Sequence, residues 1–321
     1  MGQSRARRVD MGSRLSSLIE AMQAGVLVED ERGRIAVINR EMCGIFGFVE
    51  EPADLTNRPA ADLIDRIAET TRLPDDFRGR LHELTTRREP MRGEEIVLLD
   101  GRILERDYLP IWEDHFYSGH LWVYRDITRR KRMEIRLQVH REALAMLARS
   151  APLTQVLETL LRGTERVEPG MLGSIHLYDP GTECLRDPIA PSLPKAYNQA
   201  VAVVPIGPSA GSCGTAAWRR DRVVVTDIAS DALWAADPER ALGHGLHACW
   251  SQPIFGYRKG LLGTLAMYYR EPRAPGIHEV DLIESAAQIA GIAIEGSRAQ
   301  SELASARDRA LAAARAKSEF L

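Results

Sequence analysis

The hydrophobic positions of this chain change period several times, and the changes divide it into blocks. Leu15, Leu18, Ile19 and Met22 recur at helical spacing until Gly25 interrupts them. Val26 to Asp30 and Ile35 to Ile38 then read as two strands joined by a tight turn through Gly33. From Asn39 to Leu84 strand formers are scarce, and helices are predicted over Ala61 to Thr71 and Asp75 to Arg87. Strand patterns return at Glu94 to Leu99 and Arg102 to Leu109. They flank Asp100-Gly101, a type I′ hairpin signal, and a further strand runs from His120 to Arg125. The order β-β-helices-β-β-β predicts one antiparallel sheet with helices on one face.

Over Arg129 to Ser150, Met133, Leu137, His140, Leu144 and Leu147 alternate in spacings of four and three. That is the seam of a two-stranded coiled coil, or the apolar face of a helix packed on its own domain. Ala151-Pro152 opens a new block with a helix to about Val167. Strands are predicted at Gly173 to Tyr178, Leu185 to Ala190, Val201 to Ile206 and Val223 to Thr226, with Pro191 to Asn198 irregular. Cys249 to Ile254 and Leu261 to Tyr269 form a hairpin. Ile277 to Ser297 is a helix with Val280, Ile283, Ala287, Ala290 and Ile294 on one face. The remainder is Ala/Arg/Glu-rich and helical.

The expected fold class is therefore α+β. Two α/β sensor-sized domains, each a central antiparallel sheet flanked by helices, are joined and followed by long helices. The expected segments are a disordered 1–13, a domain over 14–128, a linker helix over 129–150, a second domain over 151–297 and a helix over 298–321.

Composition narrows the function. The 321 residues are 45% hydrophobic and 27% charged, ordinary for a folded chain of two domains. A net charge of −3 supplies no general field for nucleic acid or anionic lipid, so neither is an expected partner. Arg5, Arg7 and Arg8 read as a solvated terminus. There is no apolar run of roughly 18–20 residues and no signal-peptide core, so a cytoplasmic location is expected. Cys43, Cys184, Cys213 and Cys249 lack metal-site spacing, and free thiols are expected. Gly211 to Gly214 is not followed by Lys-Ser/Thr and is no nucleotide loop.

Ser16 to Thr128 resembles a PAS domain, on Gly25-Val26, the Asp30-to-Gly33 turn, Ile38-Asn39 before a short helix, and the closing Asp126-Ile127-Thr128. The resemblance implies that the Asp of this last triplet caps the following helix. PAS domains hold haem, flavin, organic acids or nothing. Asn39-Arg40-Glu41-Met42-Cys43 does not match the photoactive flavin run. A haem ligand would have to come from His82, His115 or His120, each expected as an ordinary surface residue. Asn39, Tyr108 and Trp112 are the candidate pocket residues, with Phe46, Tyr108 and Trp112 also expected to complete the core.

Pro152 to Ser297 resembles a GAF domain. The matching runs are Gly211-Ser212-Cys213-Gly214-Thr215-Ala216-Ala217, Val225-Thr226-Asp227-Ile228, Cys249-Trp250-Ser251-Gln252-Pro253-Ile254, Leu262-Gly263-Thr264-Leu265 and Tyr268 to Arg273. The resemblance implies a small-ligand pocket, with Cys213, Trp218, Asp227, Cys249, Trp250 and Tyr268 as candidate lining residues. A cyclic-nucleotide signature is lacking, and His247 precedes Cys249, the reverse of the order for a covalent bilin. Trp218, Trp234 and Trp250 are expected to line an apolar pocket or to belong to the core, and Trp234, in a polar stretch, could also be an exposed interface residue. The first run and His247-Ala248-Cys249 also resemble free methionine-R-sulfoxide reductases. There Cys249 would attack the sulfoxide and Cys213 would resolve the adduct. Val203 replaces one cysteine of that family and Trp250 its acidic residue. Small buried core residues are the competing reading of both thiols.

Ala316-Lys317-Ser318-Glu319-Phe320-Leu321 resembles the start of the dimerisation helix of a sensor histidine kinase. This implies a non-catalytic sensory fragment whose kinase domain is missing. The expected partners are a second copy, through helices 129–150 and 298–321, a small-molecule ligand, and a downstream response regulator reached through the kinase. A diguanylate cyclase or phosphodiesterase output stays open, as does the identity of any cofactor.

Overall fold

The computed structural model describes residues 17–319, with side chains through residue 310. The expected disordered 1–13, its arginines, and the side chains of the closing Ala316-to-Leu321 run lie outside the described residues. The chain forms two compact units, Met1–Arg132 and Met133–Leu321. Among the described residues no helix is long and apolar enough to cross a membrane, and no His/Cys/Asp/Glu cluster could hold a metal ion.

In the first unit the elements follow the predicted order: β1 (Gly25–Asp30), β2 (Ile35–Ile38), α1 (Arg40–Phe46), α2 (Pro52–Leu55), α3 (Ala60–Glu69), α4 (Pro74–Arg87), β3 (Met91–Val97), β4 (Ile103–Glu113) and β5 (Phe116–Asp126). The antiparallel sheet runs β2-β1-β5-β4-β3. Strand alternation puts Leu27, Leu104, Tyr108, Trp122 and Tyr124 on one face, where they pack with Leu63, Ile67, Phe77 and Leu81 of the helices. The β3–β4 connection differs from the predicted two-residue turn. The Leu98 N–H donates to the Arg102 carbonyl at 2.9 Å, closing a three-residue loop in which Gly101 alone is left-handed, φ 85°. A type I′ turn needs positive φ at both central residues, and Asp100 does not adopt it.

The closing triplet divides its work between two side chains. Asp126 Oδ1 accepts from the Thr128 N–H at 2.9 Å, starting the next helix. It is the Thr128 hydroxyl, accepting from the Ile103 N–H at 2.9 Å, that ties this point to β4.

A partly buried ion network lies on the helix-packed face of this sheet, between β3, β4 and α4. Arg106 is almost fully buried, and its guanidinium grips Glu94 through Nη2 and through Nε at 3.1 Å. Arg80 Nε adds a bond of 2.7 Å to the same carboxylate. Burial raises the Glu94 pKa, but the bonds from Arg106 and Arg80 outweigh it and the net shift is downward. A lowered carboxylate pKa gives stability that is present above its ordinary value of about 4.3 and is lost as pH falls through the lowered folded value. Urea titrations should show the first unit weakening below about pH 4. Glu94→Gln should start less stable at pH 7 and lose less on acidification.

The second unit contains most of α5 (Thr128–Ala148), then α6 (Leu153–Val167), β6 (Leu172–Asp179), β7 (Cys184–Ile189), α7 (Lys195–Ala200), β8 (Val203–Pro205), α8 (Gly211–Arg219), β9 (Val223–Val225), α9 (Glu239–Leu242), β10 (Ala248–Phe255), β11 (Leu261–Tyr269) and α10 (Ile277–Glu319). Its antiparallel sheet runs β8-β7-β6-β11-β10-β9. Both faces are covered. Ile175, Trp250, Ile254, Leu265, Met267 and Tyr269 face a layer containing α6 and α10. Leu185, Cys249, Ala266 and Tyr268 face α7, α8 and α9.

Three sequence expectations change here. Pro191 to Asn198, read as irregular, contains most of a short helix, Lys195–Ala200, with Tyr197 fully buried; six residues are too few to show a period. α10 is continuous, so the expected separate segments 151–297 and 298–321 share one helix. α5 carries two apolar stripes. Val139 and Ala143 enter the core of the second unit, with Ile135, Met146 and Leu147 packed against it. His140 Nε2 lies 3.4 Å from Ser285 Oγ. Met133, Leu137 and Leu144 of the predicted seam stay exposed, while His140 and Leu147 belong to the packed side.

Candidate functional site

The space between the second sheet and α7–α9 contains a cavity of about 200 Å³. α8 builds one wall. Cys213, Ala216 and Ala217 recur at three and four and face inward, and Gly214 allows the close approach. A Cβ at Gly214 would come 2.3 Å from the Pro205 carbonyl oxygen and 2.6 Å from the Ala210 Cβ. Backbone cannot yield as a side chain does, so Gly214→Ala should cost about 1–3 kcal/mol in urea unfolding of this unit.

Strands β6 and β11 supply His176 and Tyr268, α7 supplies Tyr197, and the segment before α9 supplies Trp234. The Trp234 indole N–H donates to Ser212 Oγ at 2.9 Å, which fixes the ring across the start of α8. An Asp237–Arg240 ion pair at 3.0 Å stands at the exposed rim. His176 Nε2 lies 3.0 Å from the Val201 carbonyl oxygen and donates to it. Its other ring nitrogen, Nδ1, is buried without a hydrogen-bond partner. The wall thus combines aromatic surface with an unused polar atom, the composition of a small-ligand site.

Two thiols meet beside it. Cys213 Sγ lies 3.4 Å from Ser251 Oγ and 3.9 Å from Tyr268 Oη. Cys249 Sγ lies 3.7 Å from the same Ser251 Oγ. The Cys249 thiol beside it lowers the Cys213 pKa, against desolvation, with help from His176, Ser251 and Tyr268. Burial, then Cys213 itself, pushes the Cys249 thiol up.

The predicted site residues divide sharply. Cys213 and Tyr268 line the cavity, and Cys249 sits behind Cys213, fully buried. Trp218 does not belong: it is 54% exposed, one residue past the inward face of α8. Trp250 points to the opposite side of β10 from Cys249, where its indole N–H donates to the Arg273 carbonyl at 3.2 Å. Asp227 holds its own turn, accepting from Ala229 N–H and Ser230 Oγ. Of the readings open for Trp234, the exposed interface does not hold: the ring is buried and lines the cavity. The sulfoxide-reductase pattern asked Cys249 to meet a substrate, yet the thiol in the cavity wall is Cys213. His176, Tyr197, Ser212 and the Asp237–Arg240 pair were not foreseen.

In the first unit Asn39 has no valence left for a ligand. Its Oδ1 accepts from Val26 and Met42 N–H at 2.9 and 3.0 Å, and its Nδ2 donates to the Ile19 and Ala24 carbonyls at 3.0 and 2.8 Å. Tyr108 is fully buried against Trp122, ring centroids 4.7 Å apart. Trp112, expected in the core, is 51% exposed against Tyr117 near the β4–β5 turn. His82 and His115 are exposed. His120 is buried, with Tyr117 Oη 2.5 Å from Nδ1 and Glu29 Oε1 3.2 Å from Nε2.

Comparison with known proteins agrees with this architecture. Residues 13–114 match the PAS fold family model, and residues 150–295 match a GAF domain model. The methyl sulfide methyltransferase-associated sensor of Methanosarcina acetivorans is 35% identical over 184 residues, covering 57% of this chain and 18% of that protein. The chain thus spans less than a fifth of that relative. The solved free methionine-R-sulfoxide reductase from Neisseria meningitidis, in complex with its substrate, is 18% identical at TM-score 0.43, covering 53% of this chain and 91% of that one. The GAF domain from an Acinetobacter phosphoenolpyruvate-protein phosphotransferase is 17% identical at TM-score 0.41, covering 51% and 94%. At such scores neither likeness bears on activity. The chain carries a PAS fold and a GAF domain in tandem.

Proposed function

We propose that this chain is the sensory region of a cytoplasmic two-component signalling protein, a sensor histidine kinase, and that its GAF cavity receives a small, partly polar metabolite. The observation that carries the reading is the cavity with the unpartnered His176 Nδ1 in its wall. At about 200 Å³ it falls below the roughly 300–1,000 Å³ of drug-sized sites, which favours a compact ligand over a tetrapyrrole. The sensor name of the Methanosarcina relative supports a signalling role.

The route outward follows from strand alternation. β10 and β11 present Cys249 and Tyr268 toward the cavity side, and Trp250 and Met267 toward the α10 layer. A ligand that favours one arrangement of these strands therefore biases α10, and so any domain α10 leads to. The exposed Met133, Leu137 and Leu144 of α5 would pair with a second copy, as would the helix beyond residue 298, and the kinase would pass phosphate to a response regulator.

A thermal-shift screen of small metabolites tests the reading. Ala236 lies exposed at the rim, so Ala236→Trp should plug the mouth without disturbing the core. Stabilising compounds should lose their effect in that variant. Equal shifts in both proteins would overturn the reading.

A further inference from the structure

We propose that Cys213 and Cys249 form a peroxide-responsive thiol pair, with Cys213 the attacking sulfur and Cys249 the resolving one. The assignment does not depend on what metabolite the cavity holds. It reverses the roles that the sequence motif implied.

Position assigns the roles. Cys213 lines the cavity, whereas Cys249 is fully buried on β10 and is not part of the cavity wall. Both sulfurs lie within hydrogen-bonding reach of one hydroxyl, Ser251 Oγ, at 3.4 and 3.7 Å. Cys213 is the third residue of the nine-residue α8, in the turn whose free N–H groups favour a negative sulfur. His176 acts on it in the same direction, and the lowered Cys213 pKa and raised Cys249 pKa agree with the roles. Cys43 belongs to the other unit, and Cys184 is half-exposed on β7 at the far side of β6.

The co-reactant is a small hydroperoxide, ROOH, which the cavity admits. The Cys213 thiolate attacks the outer oxygen. An S–O bond forms, the O–O bond breaks, and the leaving alkoxide takes a proton to depart as ROH. Sulfur is oxidised by two electrons to the sulfenic acid and the peroxide is reduced. Ser251 Oγ and Tyr268 Oη stand beside this sulfur to hydrogen-bond the new hydroxyl. The Cys249 sulfur then attacks Cys213. The S–S bond forms, the S–O bond breaks, and hydroxide leaves with the Cys249 proton as water. Two equivalents of an external thiol restore both cysteines.

The test is titration of the purified chain with hydrogen peroxide, followed by peptide mapping without reductant. A Cys213–Cys249 link with a loss of about 2 Da is expected, formed about tenfold faster than oxidation of Cys184. Cys249→Ala should stop at a dimedone-trappable gain of about 16 Da on Cys213. Cys213→Ala should leave Cys249 reduced, with circular dichroism confirming that each variant is folded. The proposal is overturned if Cys249 or Cys184 oxidises first, if Cys213 stays reduced while Cys184 is consumed, or if oxidised Cys213 fails to link to Cys249. The wild-type map alone decides these three outcomes, so a misfolded variant does not protect the proposal.

Discussion

Trp234→Ala should destabilise the second unit by about 3–5 kcal/mol, the cost of removing a large buried aromatic ring. The polar stretch Asp231 to Asp237 suggests a surface loop, yet the indole packs in the core cluster with Cys213, Ala216 and Tyr268. Its N–H holds Ser212, and its ring passes 3.8 Å from where a Cβ of Gly211 would stand. Truncation would open the cavity wall as well as weaken the fold. Trp234→Phe separates the two contributions. It should retain most of the packing and lose about 1 kcal/mol with the hydrogen bond. Urea unfolding followed by circular dichroism reads both. A cost below about 1 kcal/mol for the alanine variant would contradict the burial described here.

Asn39→Ala should be about as damaging to the first unit. One side chain caps α1, fixes the start of β1 and accepts or donates all four of its hydrogen bonds. Removing it leaves buried N–H groups of Val26 and Met42 and the Ala24 carbonyl without partners, at about 1–3 kcal/mol each. A total loss of about 3 kcal/mol or more is expected. Asn39→Asp keeps the acceptor and loses both donors, so it should also destabilise. If it matched the wild type, the Nδ2 bonds would be unimportant. The same replacement should not touch ligand binding by the second unit, since Asn39 and all four of its hydrogen-bond partners belong to the first.

Most strands, their succession along the chain and the long helices were legible because each has a period that survives over many residues, whereas the strand order within each sheet was not read. Val26 to Ile38 and Cys249 to Tyr269 alternate or run apolar between clear turn signals, and the hairpins follow. The loop types were less legible, because Asp100-Gly101 is compatible with two- and three-residue loops and only the backbone decides. The site was legible in part. Gly211 to Ala217 reads as a motif, but it is a helix, and a helical period turns Trp218 away from the face that carries Cys213, Ala216 and Ala217. Cys249 and Trp250 cannot both face one cavity, because strand alternation sends neighbours to opposite faces. His176 and Tyr197 could not be found locally. They meet Cys213 only because β6, α7 and α8 close on one side of the sheet, an arrangement set by long-range packing.

The linker shows the same limit. One stretch of α5 holds two apolar stripes, and sequence spacing cannot say which one a domain claims. The second unit claims Val139 and Ala143, leaving Met133, Leu137 and Leu144 exposed.

The proposed place where this chain receives its signal is the cavity on the α7–α9 side of the GAF sheet. Native mass spectrometry of the chain, with compounds from the thermal-shift screen, decides it. One small molecule per chain on the wild type, and none on Ala236→Trp with unfolding unchanged, is the predicted result. The same stoichiometry on both proteins would place the binding elsewhere and contradict the account.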